Sequence, residues 1–485
     1  MAGGYLSAAA GVRRFEQGKV LIGGSPPTIL RLSPAGSAAL DHWLRGVRPD
    51  WNKPSHRRLA SRLVETGICV ESPSRNEAAN SATATVKRTP NNTASNSRLL
   101  AEKVTVVIPV RDDHEGLAAT IRSLSSITVP LIVVDDGSFV PVNRALVPDH
   151  GQLLRNEEST GPGSARQRAM DHVTSPLVAF IDAGVLLSAA DLAELASYLD
   201  LDHSAAAAPR VRSLPEDHLT ARYDHWRSPL DMGSNAGTVG LQSSIPYVPT
   251  ACLLVRTSSL MSVKGFDSSL RYGEDVDLVW RLGAHGLVHY VPSIEVFHPA
   301  RRSLVALAKQ RFNYGSAAAP LAKRHQQRVA PLQLSKSDAL TKILVLTGRP
   351  IAAAAVFTAG VGLLARKLPD IEQRSVHASR LSFQGHWNGW MSVLTALCRT
   401  WWPVAVLIAL LVPQKRRSIV TALAIGFTRR LTDGPPQPDE ALVDVSVGVL
   451  DDVAYGLGVW LGALRHRTII PLLPAKYRAR PATRR

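Results

Sequence analysis

Residues 104–138 read VTVVIPVRDDHEGLAATIRSLSSITVPLIVVDDGS. Unbroken apolar runs occupy 104–110 and 131–134, and such runs are typical of strands buried on both faces of a parallel sheet. Between the two runs, three apolar residues recur at helical spacing: Leu117, Ile121 and Leu124. The order strand, helix, strand predicts an α/β fold with a parallel sheet and helices on both of its faces.

Acidic residues follow the predicted strands. Asp135 and Asp136 come directly after 131–134, and Asp182 comes after a third apolar run at 177–181. Ligands of open parallel sheets bind outside the carboxyl ends of the strands, where carboxylates can hold a base, a ribose or a metal-bound diphosphate. A single Asp after a strand more commonly forms a turn, so both interpretations stay open for each residue.

Two further segments carry charge at the start of a predicted helix. Residues 161–168, GPGSARQR, combine free backbone N–H groups with the cationic side chains of Arg166 and Arg168, which favours anion binding. Residues 273–282, GEDVDLVWRL, place three carboxylates within four positions. Acids favour a helix N-terminus in any case, but crowding also raises the pKa of at least one carboxyl, as a general base requires.

His298 ends a strand-like segment at 294–297. A lone histidine is most often structural. At the end of a strand beside a nucleotide site it can also ligate a divalent metal.

Taken together, five segments resemble the family 2 glycosyltransferases. They are VVIPVRD at 106–112, VDDGS at 134–138, GSARQ at 163–167, FIDAG at 180–184 and GEDVDL at 273–278. The resemblance implies a GT-A, Rossmann-like nucleotide-sugar fold. It also implies a nucleotide diphosphate sugar as donor, UDP-glucose above all, a divalent cation (Mg²⁺ or Mn²⁺), and inversion by direct displacement.

The resemblance also implies roles for individual residues. Arg111 would lie against the base and Asp136 would hydrogen-bond the uracil, while Pro109 and Arg166 would also bind the donor. Asp182 would lie near the ribose and the metal. The base that deprotonates the acceptor would be Asp275, with Glu274 as second choice.

One segment departs from the family pattern. The metal motif Asp-x-Asp is here Asp182-Ala183-Gly184, so one carboxylate is missing. The resemblance then implies that Asp182 and His298 hold the metal together with the diphosphate. Weak metal binding, or a scaffold that has lost catalysis, are the alternatives. The Gln-x-x-Arg-Trp signature of processive synthases is also absent, and the basic residues of 309–315, KQRFNYG, are candidates for binding phosphate or acceptor.

The region before the transferase segment predicts a small α+β domain at 1–72 with winged-helix character. Ser33 and Pro34 mark a helix start, a second helix runs from about Ser55 to Gly67, and 68–70 is a short strand. This layout resembles the peptide-recognition domains of systems that modify ribosomal peptides. The polar segment 73–100 predicts a flexible linker, and 101–330 the GT-A domain.

The region 338–485 consists of apolar runs between basic clusters. No run reaches the roughly 20 clean residues of a spanning helix. A transmembrane hairpin, interfacial helices on anionic lipid and a soluble helical domain are the three interpretations. Aromatic residues beside basic clusters favour a membrane-associated region, which places the protein at the cell membrane with its catalytic domain in the cytoplasm.

The composition is compatible with these assignments. The chain of 485 residues carries 56 Lys and Arg against 39 Asp and Glu, and the net charge of +17 favours anionic partners such as nucleotide phosphates and membrane lipid. The basic residues lie beside apolar runs and not in an aromatic-interleaved patch, which argues against nucleic acid. Three widely spaced cysteines indicate a reduced compartment and no zinc site.

The full layout is similar to the mycofactocin-system glycosyltransferases of actinobacteria. This resemblance implies that the protein transfers glucose from UDP-glucose to a small peptide-derived acceptor. The acceptor would be the mycofactocin redox cofactor or its precursor. The alternative is a membrane transferase that makes a lipid-linked or cell-wall saccharide.

Overall fold

The computed structural model describes residues 3–25, 27–75, 100–241, 243–432 and 438–476. The chain divides into two compact units. Unit 1 contains Met1–Leu214 and Ser228–Ala300, and unit 2 contains Pro215–Arg227 and Arg301–Arg485. The boundary predicted at residue 330 therefore differs from the structure, in which the chain passes to unit 2 at Arg301 after an earlier excursion at Pro215–Arg227. Most of the predicted linker, residues 76–99, lies outside the described residues.

The strands are β1 Tyr5–Ala8, β2 Arg13–Phe15, β3 Val20–Gly23, β4 Thr28–Arg31, β5 Cys69–Ser72, β6 Val104–Val110, β7 Leu131–Asp136, β8 Gly151–Asn156, β9 Leu177–Ile181, β10 Ser204–Ser213, β11 Gly237–Thr238, β12 Cys252–Arg256, β13 Leu287–His298, β14 Gln333–Leu334 and β15 Ala475–Lys476. The helices are α1 Pro34–Leu44, α2 Pro54–Glu65, α3 His114–Ser123, α4 Pro162–Ala169, α5 Ala189–Tyr198, α6 Leu219–Arg227, α7 Thr257–Ser262, α8 Glu274–Leu282, α9 Leu304–Ser316, α10 Ala318–His325, α11 Lys336–Leu346, α12 Pro350–Lys367, α13 Arg374–Arg399, α14 Trp402–Leu411, α15 Pro413–Thr428 and α16 Pro438–Arg465.

Unit 1 is built on an eight-stranded sheet in the order β11-β13-β10-β12-β9-β6-β7-β8. Strands β9, β6 and β7 run parallel, as predicted, and β8, which was not predicted, pairs parallel with β7. The predicted parallel sheet is found only in part, because the sheet is mixed: β12 lies antiparallel between β9 and β10, and β11 pairs antiparallel with β13. The short apolar run of β12 gives no sign of direction, since direction depends on the connections around it. Apolar cores cover both faces of the sheet.

The N-terminal part of unit 1 has its own apolar core, which includes Leu21, Leu40 and Trp43. Helix α1 begins as predicted: Ser33 is the N-cap, its hydroxyl accepts from the Gly36 amide at 3.1 Å, and Pro34 takes the first helical position. Helix α2 and strand β5 also lie where the sequence predicts them. Strands β2, β3 and β4 form an antiparallel sheet of three.

Unit 2 is helical, and α16 packs along α9 and α6 within it. By length and composition, two of its described helices could cross a membrane, Pro350–Lys367 and Glu440–Arg465. Helices α13 and α14 together pass the same test but are bent by 78° at their junction. About half of the apolar window in α16 is buried within the protein, whereas almost none of α12 is.

Candidate active site

Asp136 ends β7 at the carboxyl edge of the sheet. It is buried and accepts five hydrogen bonds from the last residue of β8 and the loop that leads to α4: Asn156 Nδ2, Ser159 Oγ, the Thr160 amide and hydroxyl, and the Gly161 amide, at 2.7–3.0 Å. Burial alone would raise its pKa, but these donors outweigh burial and hold the pKa below its ordinary value. Five donors exceed the roughly four lone-pair sites of a carboxylate. In this structure Asp136 therefore orders the loop, and its predicted bond to a base stays a prediction.

Arg111 lies exposed at the end of β6 and reaches the same loop. Its Nη1 donates to Ser159 Oγ at 2.9 Å, so Ser159 connects Arg111 to Asp136. Phe139, which no motif in the sequence singles out, also lies at this edge. Its amide donates to Asp112 Oδ1, and the residue is 89% exposed. Pro109, by contrast, is buried within β6 opposite Val134. Its side chain is enclosed by the sheet, and its predicted contact with the donor stays a prediction.

Arg166 is the centre of the site. It is buried on α4, its Nη2 donates to Asp182 Oδ1 at 2.5 Å, and its Nη1 donates to Glu274 Oε1 at 3.2 Å. Gly163 makes this approach possible, because a Cβ there would lie 2.8 Å from Glu274 Cγ. Burial disfavours the cation, but Asp182 and Glu274 outweigh burial and raise its pKa, so Arg166 stays charged. Its Nε is buried without a partner among the described residues.

Glu274 and Asp275 open helix α8 next to Arg166. Gly273 precedes them in the left-handed region with φ 76°. Burial and the neighbouring Asp275 raise the pKa of Glu274 to about 7, and Arg166 opposes the rise. Burial also raises the pKa of Asp275, against the Val276 amide and Arg166. Two carboxylates with raised pKa values beside one cation form a pair suited to accept a proton near neutral pH.

The third acid of the motif, Asp277, has a different role. It is buried, and its carboxylate pairs with Arg281 Nη2 at 2.6 Å one turn later on α8. Arg281 also donates to the carbonyls of Val263 and Gly265. Asp277 therefore fixes α8 to the preceding segment, and Glu274 and Asp275 are the acids of this motif that remain as candidates for proton transfer.

Gly184 stands where the family pattern has the second metal-binding Asp. Its φ is 89°, which L side chains rarely adopt, and a Cβ there would lie 2.9 Å from Pro299 Cγ. Its amide donates to Thr120 Oγ1 at 2.9 Å. The backbone conformation at this position therefore favours glycine, and a side chain here has no room unless Pro299 moves.

The predicted metal ligands do not form a metal site by themselves. Asp182 already pairs with Arg166, and His298 Nδ1 lies 2.8 Å from the carbonyl oxygen of Pro299. Among the described residues, no three His, Cys, Asp or Glu side chains converge in a way that could hold a metal ion. Any cation at this edge would depend on ligands that the donor brings, so we assign no chemical step to it.

The basic segment 309–315 lies in unit 2, and its arginine is already paired within the protein. Arg311 is buried on α9, where it donates to Asp224 Oδ1 at 2.6 Å and to Asp451 Oδ2 at 2.8 Å. The prediction that its cation binds phosphate or acceptor is wrong for Arg311, because both of its acidic partners come from within the protein.

The structure thus brings Arg166, Asp182 and Glu274 into direct contact, with Asp275 next to them. Residues 105–263 match the family described as "Glycosyl transferase family 2". Over 477 residues the chain is 32% identical to the pre-mycofactocin glycosyltransferase of two Mycobacterium tuberculosis strains, and 96% of each chain is covered.

Solved structures give more distant matches. A mannosyltransferase from Pyrobaculum calidifontis, in complex with GDP-Man and Mn²⁺, is 13% identical with a TM-score of 0.39, covering 79% of this chain and 92% of that one. A fragment of S. aureus TarS (residues 1–349) is 14% identical with a TM-score of 0.35, covering 59% of this chain and 92% of that one. The relationship to the mycobacterial enzyme decides the assignment: the chain belongs to glycosyl transferase family 2 and is a glycosyltransferase related to pre-mycofactocin glycosyltransferase.

Proposed function

We propose that this glycosyltransferase moves glucose from UDP-glucose, with inversion, to a peptide-derived small acceptor in mycofactocin biosynthesis. The observation that carries the proposal is the pair Glu274–Asp275 beside the Arg166–Asp182 contact. The two acids have raised pKa values and lie at the edge of the sheet where ligands of such folds bind. The relationship over 96% of the chain supports the choice of acceptor.

In this proposal Asp275 is the base. It accepts the proton of the acceptor hydroxyl as the oxygen attacks the anomeric carbon, and the bond from that carbon to the diphosphate breaks. Glu274 faces Arg166 with its carboxylate, which leaves Asp275 as the less firmly paired acid. Arg166 holds Asp182 and Glu274 in place throughout, and its fixed charge lies near the position expected for the leaving diphosphate.

A divalent cation (Mg²⁺ or Mn²⁺) belongs to the proposal only as a companion of the donor diphosphate. Asp182 and His298 are the residues expected to meet it. When bound, such a cation would neutralise phosphate charge. Adding EDTA to the transfer assay tests this part: undiminished donor binding and transfer would remove the cation from the proposal.

The test of the main proposal is a purified reaction. The full chain is incubated with UDP-glucose and a mycofactocin-precursor acceptor, and products are identified by mass spectrometry after partition between water and organic solvent. A hexose increment on the water-soluble acceptor is expected. Sugar recovered only in the lipid fraction would favour the second candidate, a lipid-linked saccharide transferase, which the exposed apolar surface of α12 supports.

We also place the protein at the cell membrane, with unit 1 on the cytoplasmic side. The support is the exposed apolar surface of unit 2 and the basic residues around it. Fractionation of cells that express the full chain checks this placement, and recovery of all the protein in the soluble fraction would contradict it.

A further inference from the structure

Helices α11 to α15 expose many large apolar side chains. The most prominent are Leu346, Ile351, Leu363, Phe383, Trp387 and Leu411, of which Ile351 is 86% exposed. Soluble proteins rarely present so many such side chains on neighbouring helices, and an apolar face of this kind marks a site of contact with a partner or a membrane. We call these helices, α11 to α15, the apolar helices.

The charges around the apolar helices identify the partner. Residues 349–432 contain eleven Lys and Arg but only two acids. Six of the exposed cations lie at helix ends: Arg349 before α12, Arg366 and Lys367 at its last turn, and Lys415–Arg417 at the start of α15. Apolar faces bordered by cations complement a bilayer with anionic headgroups.

Helix α14 is too short to cross a bilayer. Its ten residues span about 15 Å, which is half of a hydrocarbon core of roughly 30 Å. If α14 stood upright with Trp401 and Trp402 at the interface, Lys415, Arg416 and Arg417 would lie near the bilayer centre, where charges are costly. With α14 in the plane of the interface, these cations lie among the headgroups.

Helix α12 has cations at both ends. A spanning helix typically has an excess of Lys and Arg on its cytoplasmic side only. Helix α16 is long and apolar enough to cross a membrane, yet Asp444, Asp451 and Asp452 within it pair with arginines of unit 2. Asp444 pairs with Arg227 at 2.9 Å, and Asp451 pairs with Arg311. A bilayer around α16 would also have to enclose α9 with its polar residues, so α16 is a core helix.

We infer that the apolar helices bind an anionic bilayer from one side, in the plane of its interface, and that none of the described helices of unit 2 crosses it. This inference deepens the membrane part of the proposed function and rests on it. Glycosyl transfer to a water-soluble acceptor is measured in solution. A failure of membrane binding therefore leaves the proposed sugar transfer testable, and a failure of sugar transfer leaves membrane binding testable.

Single-cysteine labelling tests the absence of a crossing. Thr347→Cys and Glu372→Cys place exposed thiols on either side of α12, and Cys69, Cys252 and Cys398 are buried. In inverted inner-membrane vesicles from a bacterial host, a membrane-impermeant maleimide is expected to label both positions without detergent. Arg58→Cys on the exposed face of α2 controls for access to the cytoplasmic side. Labelling of one α12 position only after detergent would overturn the inference.

Vesicle flotation tests the partner and does not depend on those variants. The full chain is expected to float with phosphatidylcholine vesicles that contain phosphatidylglycerol, and much less with phosphatidylcholine alone. Replacing Lys415, Arg416 and Arg417 by Gln should lower the partition coefficient on the order of 100-fold, since each cation near an anionic surface contributes about 1 kcal/mol.

The matched control replaces three exposed cations of the N-terminal part, Arg45, Lys53 and Arg58, by Gln, and it should bind as the wild type does. Equal loss in both triple variants, equal binding to both lipid mixtures, or no binding at all would overturn the inference.

Discussion

The protein contains two clusters of buried arginine and carboxylate side chains that differ in charge balance. In unit 1, one buried arginine, Arg166, faces three acids: Asp182, Glu274 and Asp275. In unit 2, Arg311, Arg399 and Arg430 face a similar number of acids, among them Asp451 and Asp452. Cations match acids in unit 2 and are outnumbered in unit 1.

The pKa values follow from that difference. In unit 1, burial and the excess of negative charge raise the pKa values of Glu274 and Asp275. In unit 2, burial works against ionisation of Asp451, but Arg399 and Arg311 outweigh it and lower its pKa. A carboxylate with enough cations holds a structure together, and one with too few is ready to take a proton.

The largest effect is expected from Asp275→Asn. Loss of a general base typically lowers the rate about 10²- to 10⁴-fold, so kcat/KM for sugar transfer should fall within this range. The melting temperature should not fall, because the variant removes a buried charge that no cation fully balances. Steady-state kinetics of UDP release with calorimetry check both statements.

Asp277→Asn is the matched control on the same helix. It breaks the ion pair with Arg281, so it should lower the stability of unit 1 and leave kcat/KM within a few-fold of the wild type at a temperature where the variant is folded. The reverse pattern in the two variants would exchange the roles assigned to these acids.

Asp451→Asn tests the cluster in unit 2. Removing one partner of a buried ion pair costs about 3–5 kcal/mol, and here it leaves Arg311 and Arg399 short of negative charge. We expect the free energy of unfolding to fall by about that amount, measured by denaturant titration. The kcat of protein that remains folded should change little, and a large fall in kcat at full folding would place this cluster in the chemistry.

Gly184→Asp tests whether the metal motif can be restored. The positive φ alone costs a non-glycine residue roughly 1–3 kcal/mol, and the new side chain meets Pro299 and the carboxylate of Asp113. We expect lower stability and no gain in activity. An increase in Mn²⁺-dependent transfer would show that the backbone accommodates the carboxylate, and with it that Gly184 is an acquired defect.

The pH dependence of kcat/KM tests the raised pKa values of the unit 1 cluster in the wild-type protein. The proposed mechanism requires ionised Glu274 and Asp275, so it predicts that kcat/KM falls about tenfold for each pH unit below the pKa of about 7 at Glu274. That raised pKa has the opposite effect on stability: its contribution is complete below the ordinary value of 4.5 and is lost as pH rises through about 7. Activity that stays constant from pH 7.5 to 5.5 would contradict the assignment.

The sequence predicts those parts of the fold and site that depend on local pattern. Strands β6, β7 and β9 and the caps of α1 follow from runs and spacings within a few residues. The direction of β12 and the placement of 215–227 in unit 2 depend on contacts between residues far apart in the chain, which a local pattern does not contain.

The same distinction holds for individual side chains. The carboxylates at 273–278 are evident from sequence, but Arg166 as their shared cation requires the sheet to bring α4 beside α8. Asp136 matches the motif, and only the structure reveals that the loop already occupies its oxygens. Arg311 and Asp451 are 140 positions apart, so their pairing has no signal in the sequence.

The most direct test of the central claim, that the unit 1 cluster performs sugar transfer, is mass spectrometry of the small-molecule pool. Cells that lack the gene are complemented with wild type, Asp275→Asn or Asp277→Asn at matched protein levels. We predict a series of hexose increments on the peptide-derived acceptor with wild type and Asp277→Asn, and none with Asp275→Asn. An unchanged series in the Asp275→Asn cells would contradict the account.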